Sequence, residues 1–336
     1  MFLPWCSSLC FALLLSSFQT GLAKENFLKY GRKRYDPDRK ALPYKTILVD
    51  HSGHGDFSSV QSAIDSIPEE NKNWVRVYIR AGTYREKVNI PSKKPFIILK
   101  GEGKRRTQIV WDDHDSTLQS PTFTSSADNI VVRSVAFVNS YNFPHNNNPR
   151  MPAVAAMVTG DKTAFYQCRF AGLQDTLWDE AGRHYFKDCS IQGAVDFIFG
   201  SGQSIYEDCS IQVLEEGGVI TAQGRRNPDD TNGFVFKGCT VFGSSSVFLG
   251  RPWGSYSRVL FYDSKFSNIV DPKGWDAWNS VGHEDRLTFA EYGNFGPGAD
   301  TSKRVNWSKK LSPQGLEELS SISFINADNW IEEQPI

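Results

Sequence analysis

The middle of the chain consists of short runs in which β-branched or aromatic residues alternate with polar ones. Clear runs cover residues 74–79, 96–99, 130–138 and 247–249, and Gly, Asn or Asp separates such runs along the chain. A period of two residues with these separators predicts β-strands rather than helices. No long amphipathic helix is predicted for the middle of the chain, so the pattern favours an all-β fold.

A short repeat runs through these predicted strands. Its clearest copies place an aromatic residue three positions before a cysteine, in residues 165–170, 186–191, 206–211 and 236–241; residues 261–266 carry serine instead, and residues 132–137 precede the series. Spacings of 21, 20, 30 and 25 residues are those of an irregular solenoid with loops inserted in some coils. We therefore predict a right-handed parallel β-helix.

The four cysteines of the repeat have two structural interpretations. Cys168, Cys189, Cys209 and Cys239 would form either an inward-facing ladder or one disulfide between neighbours. A metal site is disfavoured because four ligands in one column cannot surround a tetrahedral ion. The sequence leaves the oxidation state open.

Helix signals lie only near the two ends of the predicted solenoid. Residues 60–67 have the pattern of a short helix, with Asp56 or Ser58 near its start and Pro68 at its end. Such a helix would cover the open N-terminal end of the solenoid, where edge strands need a cap. Residues 312–320 predict a second short helix near the other end.

The N-terminus predicts export from the cell. Residues 1–23 carry no charged side chain, contain the apolar run 11–15 and end in small residues, so they are typical of a signal peptide. Residues 24–44 read as a solvated arm, and residues 45–336 as one domain. No other stretch is long and apolar enough for a membrane helix.

Charge and composition exclude some partners. The chain has 37 basic and 38 acidic residues, a balance that gives no sign of nucleic-acid binding. An acidic substrate would have to be held by local contacts. Asn306, followed by Trp307 and Ser308, forms the one glycosylation sequon, which predicts a surface position.

Candidate chemistry centres on two aspartates one repeat apart. Asp175 and Asp196 are separated by 21 residues, so one would lie above the other in adjacent coils, about 4.8 Å apart. Two carboxylates this close do not both ionise easily. We predict that one serves as a general acid and the other as a nucleophile or base.

Five motifs in order identify a family resemblance. They are residues 82–86 (GTYRE), 174–177 (QDTL), 196–200 (DFIFG), 249–253 (LGRPW) and 291–299 (EYGNFGPGA). Over roughly residues 46 to 332 the chain resembles the plant pectinesterases (pectin methylesterases), in the form without an inhibitor-like pro-region. The resemblance implies a parallel β-helix that removes methyl esters from galacturonate units of cell-wall pectin, with no metal or organic cofactor.

The resemblance also assigns roles at the site. Asp196 matches the nucleophile, and Asp175 matches the residue that protonates the departing methanol and then accepts a proton from water. Arg251 matches the arginine that pairs with the nucleophile and favours its ionised form. Gln174 matches an amide that stabilises the oxyanion. Trp253 matches an aromatic platform for a sugar ring, and Thr122 matches a substrate contact.

One position departs from the family pattern. Where the family has a glutamine that is a second oxyanion donor, 22 residues before Gln174, this chain has Pro152. Proline has neither a side-chain donor nor a backbone N–H. The loss of one such donor costs on the order of 10² to 10³ in rate unless His145 or one of Asn146–Asn148 replaces it.

Two alternatives to an active esterase therefore remain at this point. One is a catalytically weak or inactive pectin-binding wall protein; the other is a glycosidase or lyase on the same fold, because two carboxylates about 5 Å apart also suit a retaining glycosidase. We expect methyl-esterified homogalacturonan as the substrate, a proteinaceous pectinesterase inhibitor as a further partner, and a monomer.

Overall fold

The computed structural model describes residues 44–144 and 146–335. The predicted signal peptide (1–23) lies outside these residues, as does the predicted arm (24–44) except for Tyr44.

Within the two described ranges, twenty-five strands form three parallel sheets, and the strands are numbered along the chain. The first sheet has ten strands: β1 (Lys45–Val49), β2 (Val75–Ile79), β5 (Ile97–Gly101), β8 (Ile130–Arg133), β11 (Thr163–Tyr166), β14 (Arg183–Lys187), β17 (Gln203–Glu207), β20 (Gly233–Lys237), β23 (Arg258–Tyr262) and β25 (Thr288–Tyr292). The second has eight: β3 (Gly82–Arg85), β6 (Thr107–Trp111), β9 (Ala136–Asn139), β12 (Arg169–Ala171), β15 (Ser190–Gly193), β18 (Ser210–Val213), β21 (Thr240–Gly243) and β24 (Lys265–Phe266). The third has seven: β4 (Val88–Ile90), β7 (Phe123–Ser125), β10 (Ala156–Val158), β13 (Leu177–Asp179), β16 (Val195–Gly200), β19 (Gly218–Gln223) and β22 (Val247–Pro252).

Successive coils visit the three sheets in the same order, and each strand pairs with its counterpart one coil away. The register follows the sequence repeat: Phe165 pairs with Phe186, and Phe186 pairs with Tyr206. The predicted right-handed parallel β-helix is confirmed.

Residues with a left-handed backbone turn the chain from the first sheet into the second. One such residue stands at this turn in successive coils: Ser134, Gln167, Asp188, Asp208, Gly238, Asp263 and Gly293, with φ between 48° and 65°. The prediction of a single strand over residues 130–138 was therefore wrong in one respect. The left-handed backbone at Ser134 breaks the run into β8 and β9. The sequence pattern did not reveal this turn because the residues on both sides of it are apolar.

The repeat places its aromatic residues and cysteines in two columns inside the solenoid. The rings of Phe165, Phe186, Tyr206, Phe236 and Phe261 stack with centroids 4.5–5.0 Å apart. Such ring pairs add about 0.5–1.5 kcal/mol each beyond the area they bury. The four cysteines are buried and free, so the ladder interpretation is confirmed. Their thiols donate to main-chain carbonyls of the preceding coil, for example from Cys209 to Phe186 at 3.4 Å.

A short helix follows the first strand, as predicted. Helix α1 spans Val60–Asp65, and its N-cap is Ser59, whose hydroxyl accepts from the Ser62 N–H at 3.2 Å. Asp56 and Ser58 lie near this start as predicted, but neither is the N-cap, and the Asp56 carboxylate accepts from the Leu48 N–H at 2.7 Å instead. The Glu86 carboxylate accepts from the first two N–H groups of α1, both at 2.8 Å.

The C-terminal residues cover the outer face of the first sheet rather than the last coil. Helix α2 (Pro313–Ser320) and helix α3 (Ser323–Asn326) pack on β14, β17 and β20. The apolar contact is made by Tyr185, Ile205, Val235 and Leu260 of the sheet with Leu319, Ile325 and Trp330. Three short 3₁₀ helices precede this segment: Trp278–Ser280, Glu284–Arg286 and Pro297–Ala299. Among the described residues, no helix has the length and apolar character needed to span a membrane.

Candidate active site

The two predicted carboxylates lie in adjacent coils at the start of the third sheet. Gln174 pairs with Val195 in a parallel bridge, and the Asp175 N–H donates to the Val195 carbonyl at 3.1 Å, so the residues that follow the bridge are Asp175 and Asp196. The prediction that a spacing of 21 stacks them is confirmed.

Both aspartates have left-handed backbones, with φ of 59° at Asp175 and 47° at Asp196. Strand β16 advances three residues from Val195 to Ile198, while its partner β19 advances only two, from Val219 to Thr221. That extra residue is a β-bulge, a feature that re-aims side chains next to functional sites. The left-handed residue thus recurs at the same position in two adjacent coils, at Asp175 and at Asp196.

Arg251 holds Asp196 through two hydrogen bonds. Its Nε donates to Asp196 Oδ1 at 2.8 Å, and its Nη2 donates to Oδ2. Both side chains are largely buried, with 21% of Arg251 and 15% of Asp196 exposed. A bidentate guanidinium–carboxylate pair fixes orientation and stabilises the ionised carboxylate. The guanidinium also lies over the ring of Trp278, 4.2 Å from its centroid.

Asp175 has no such partner and takes the opposite electrostatic role. Burial, the larger cause, and the charge of Asp196 together raise the pKa of Asp175 to about 7, against a smaller lowering by Arg251. Asp175 as a residue is only 9% exposed. The two acids thus differ in environment: Asp196 is paired with a guanidinium, whereas Asp175 keeps its proton to a higher pH than an ordinary aspartate.

The structure places Pro152 beside Gln174. The two residues form a parallel bridge, so Pro152 lies next to Gln174 in the preceding coil. Gln174 is half-buried, and its side-chain amide has no hydrogen-bond partner among residues 44–144 and 146–335. Its amide is therefore available to an incoming group.

The loop before Pro152 uses its asparagines internally. The side-chain amides of Asn146 and Asn148 both donate to the Tyr141 carbonyl, at 2.8 and 2.7 Å. Both amides therefore have a partner within their own loop. His145 lies outside the described residues.

The two predicted substrate-contact residues have different environments. Trp253 is 42% exposed, with its ring edge-on to Phe199 at 5.9 Å, which suits a sugar platform. Thr122 is fully buried, and its hydroxyl donates to the Val138 carbonyl at 3.0 Å. Since this hydroxyl is not presented to solvent, its predicted contact with substrate has no support in the structure and stays a prediction.

Sequence reasoning missed an aromatic row on the outer face of the third sheet. Trp178 and Phe199 stack with centroids 5.2 Å apart, next to Met157 in the register. Each aromatic residue follows its aspartate by three positions, so the spacing of 21 could have revealed the pair. Trp278 was missed as well, because its contact with Arg251 joins residues that no repeat relates.

Two further features concern the glycosylation sequon and metal binding. Asn306 is exposed, as its sequon requires. Within the described residues, no group of three or more His, Cys, Asp or Glu side chains is arranged to hold a metal ion.

Comparison with known proteins agrees with this geometry. The pectinesterase family model matches residues 46–328. Probable pectinesterase 29 of Arabidopsis thaliana is 58% identical over 300 residues, which cover 86% of this chain and 90% of that protein. Probable pectinesterase 55 of the same plant is 55% identical over 307 residues, covering 88% and 93%.

Solved structures show the same fold. A pectin methylesterase from carrot superposes with a TM-score of 0.81 at 32% identity, covering 86% of this chain and 96% of that one. A pectin methylesterase from Aspergillus niger gives a TM-score of 0.75 at 27% identity, with 86% and 96% covered. The family model, these curated relatives and these solved structures agree on one family. The chain belongs to the pectinesterase family, and it is a carboxylic-ester hydrolase.

Proposed function

We propose that this enzyme removes methyl esters from galacturonate units of homogalacturonan, with Asp196 as the nucleophile and Asp175 as the general acid and base. The observation that carries the proposal is the unequal pair: Asp196 is clamped by Arg251, while burial and the neighbouring charge raise the pKa of Asp175 to about 7.

In the first half of the reaction, an Asp196 carboxylate oxygen attacks the ester carbonyl carbon. Gln174 donates to the oxyanion that develops. The bond from the carbonyl carbon to the methoxy oxygen then breaks, and that oxygen takes the Asp175 proton and leaves as methanol. An anhydride joins Asp196 to the galacturonate carbonyl.

In the second half, the Asp175 carboxylate accepts a proton from water as the water oxygen attacks the galacturonate carbonyl carbon. The anhydride bond breaks, Asp196 returns as a carboxylate, and Asp175 is again protonated. The cycle needs one ionised and one protonated carboxyl group at its start. The two environments described above supply that pair.

Methanol release from highly methyl-esterified homogalacturonan tests the proposal. We expect methanol from the purified chain without new reducing ends or unsaturated products, since the latter would indicate a glycosidase or lyase. Asp196→Ala should abolish methanol release. Asp188→Asn is the matched control, because Asp188 is an exposed aspartate that also has a left-handed backbone, and it should retain wild-type activity.

The same assay examines the effect of Pro152. If the wild type binds the polymer but releases negligible methanol, and Pro152→Gln restores turnover, the chain is a binding protein and the catalytic proposal fails. High turnover by the wild type, abolished in Asp196→Ala, excludes that alternative.

We also propose that residues 1–23 direct secretion to the cell wall and are removed after Ala23. Their uncharged, apolar composition supports this. N-terminal sequencing of protein recovered from the medium should begin at Lys24, whereas retention in the cell with Met1 in place would contradict it. The exposed Asn306 would carry a glycan on this route, lost in Asn306→Gln. A proteinaceous inhibitor as partner rests on the family resemblance alone.

A further inference from the structure

Trp278 lies flat against the guanidinium that holds the proposed nucleophile. The guanidinium carbon of Arg251 is 4.2 Å from the Trp278 ring centroid. One edge of the same guanidinium, through Nε and Nη2, donates to both carboxylate oxygens of Asp196. Arg251 is thus held along its edge by Asp196 and across its face by Trp278.

The backbone at Trp278 is strained in a way that brings the indole over Arg251. Its φ is 41°, a conformation that a bulky side chain seldom adopts and that surrounding structure must maintain. The Trp278 N–H donates to Asp276 Oδ1 at 2.9 Å, and the Asp276 N–H donates to the Gly250 carbonyl at 3.1 Å. This segment is therefore tied to the residue directly before Arg251 in β22.

The two contacts differ in how they respond to the reaction. In the proposed cycle, which this inference presupposes, Asp196 loses its negative charge when it becomes an anhydride. The ion pair with Arg251 weakens at that stage, whereas a cation over an aromatic face does not depend on the charge of Asp196. Arginine is a long side chain with many rotamers, so a second restraint matters once the first is lost.

We propose that Trp278 is a positioning residue that keeps the Arg251 guanidinium in the active site throughout the cycle, including while Asp196 is acylated. It is distinct from Trp253, whose ring lies against Phe199. A sugar platform would act mainly on substrate binding, while a restraint on Arg251 acts mainly on turnover.

Steady-state methanol release by Trp278→Leu and Trp278→Phe tests this role. Leucine keeps apolar bulk without a π face, and we expect kcat to fall about 3- to 30-fold with KM changed by less than about 2-fold. Phenylalanine keeps a π face and should retain kcat within about 3-fold of wild type. Phe295→Leu, a change at an aromatic residue 56% exposed in the last coil, is the control and should behave as wild type.

A double-mutant cycle separates positioning from loss of folding. In an Arg251→Lys background, Trp278→Leu should cause no further fall in kcat, because the planar guanidinium that it holds is already gone. An equal further fall, or a rise in KM with unchanged kcat in the single variant, would overturn the inference. If wild type releases no methanol, the proposed function fails; if it does and Trp278→Leu matches it, only this inference fails.

Discussion

At the scale of single residues, the backbone at Asp175 and Asp196 matters as much as their carboxyl groups. Aspartate is one of the few residues other than glycine that adopts a left-handed backbone readily. Both positions use this property at the start of the third sheet, directly after the bridge between Gln174 and Val195. A different acid of similar charge, such as glutamate, would satisfy the chemistry less well at such a position.

Burial of Asp175 predicts a gain in stability when its charge is removed. The native pKa of about 7 lies above the ordinary value of 3.8, so the unfolded chain releases this proton first as pH rises. Stability from the protonated form is complete below about pH 4 and is lost as pH rises to about 7. Asp175→Asn avoids this loss, and its free energy of unfolding should exceed that of wild type by up to about 1.4 kcal/mol per pH unit across that window.

Urea unfolding at pH 4, 6 and 8 measures the effect. The difference between Asp175→Asn and wild type should be small at pH 4 and largest at pH 8, while methanol release is lost. Asp188→Asn, at an exposed left-handed position, should show no such trend. A pH-independent difference for Asp175→Asn would contradict the assignment of the proton to Asp175.

At the scale of elements, the left-handed turn column defines where one sheet passes into the next. Asp188, Asp208 and Asp263 occupy the same position as Gly238 and Gly293. The repeat Phe-x-Asp-Cys therefore encodes strand, turn and core in four residues. Sequence reasoning recognised the cysteine column but not the turn residue before it, because the residue type at that position varies between Ser, Gln, Asp and Gly.

This column predicts the tolerance of Asp188 to substitution. Asp188→Gly should change the free energy of unfolding little, since glycine already serves at this turn in two other coils. Asp188→Val should cost about 1–2 kcal/mol, because a left-handed backbone places Cβ against the following carbonyl oxygen. Chemical unfolding of the two variants tests this, and equal stabilities would show that the turn does not require this backbone conformation.

The start of helix α1 shows why local signals were insufficient. Asp56, Ser58 and Ser59 are all good caps by residue type. Asp56 instead binds the Leu48 N–H, in a strand that precedes it. Glu86, 26 residues further on, supplies a second cap to Val60 that no local pattern indicates.

At the scale of the whole molecule, the candidate active site and the C-terminal packing lie on different sheets. The site lies on the third sheet, and the helices α2 and α3 cover the first. Contacts in a solenoid are made mostly between neighbouring coils. A substitution that disturbs the C-terminal packing should therefore lower the free energy of unfolding while leaving kcat nearly unchanged.

Trp330→Ala tests this separation. Trp330 is 2% exposed and packs with Leu260 and Ile325, so its truncation should lower the free energy of unfolding by about 3–5 kcal/mol. At a temperature where the variant remains folded, kcat should stay within about 2-fold of wild type. Ile322→Ala, at a residue 40% exposed, is the control and should change stability by less than about 0.5 kcal/mol. A large fall in kcat for Trp330→Ala would show that the two faces are coupled.

The sequence by itself determined the solenoid, its coil spacing, the inward column of cysteines and the pairing of Asp175 with Asp196. It could do so because a repeat fixes which residues of neighbouring coils are adjacent. Only the tertiary structure decided the unequal burial of the two acids, the buried hydroxyl of Thr122, and the placement of Trp278 over Arg251. These depend on loops and side-chain packing between residues that no period relates, and such contacts exist only once the chain has folded.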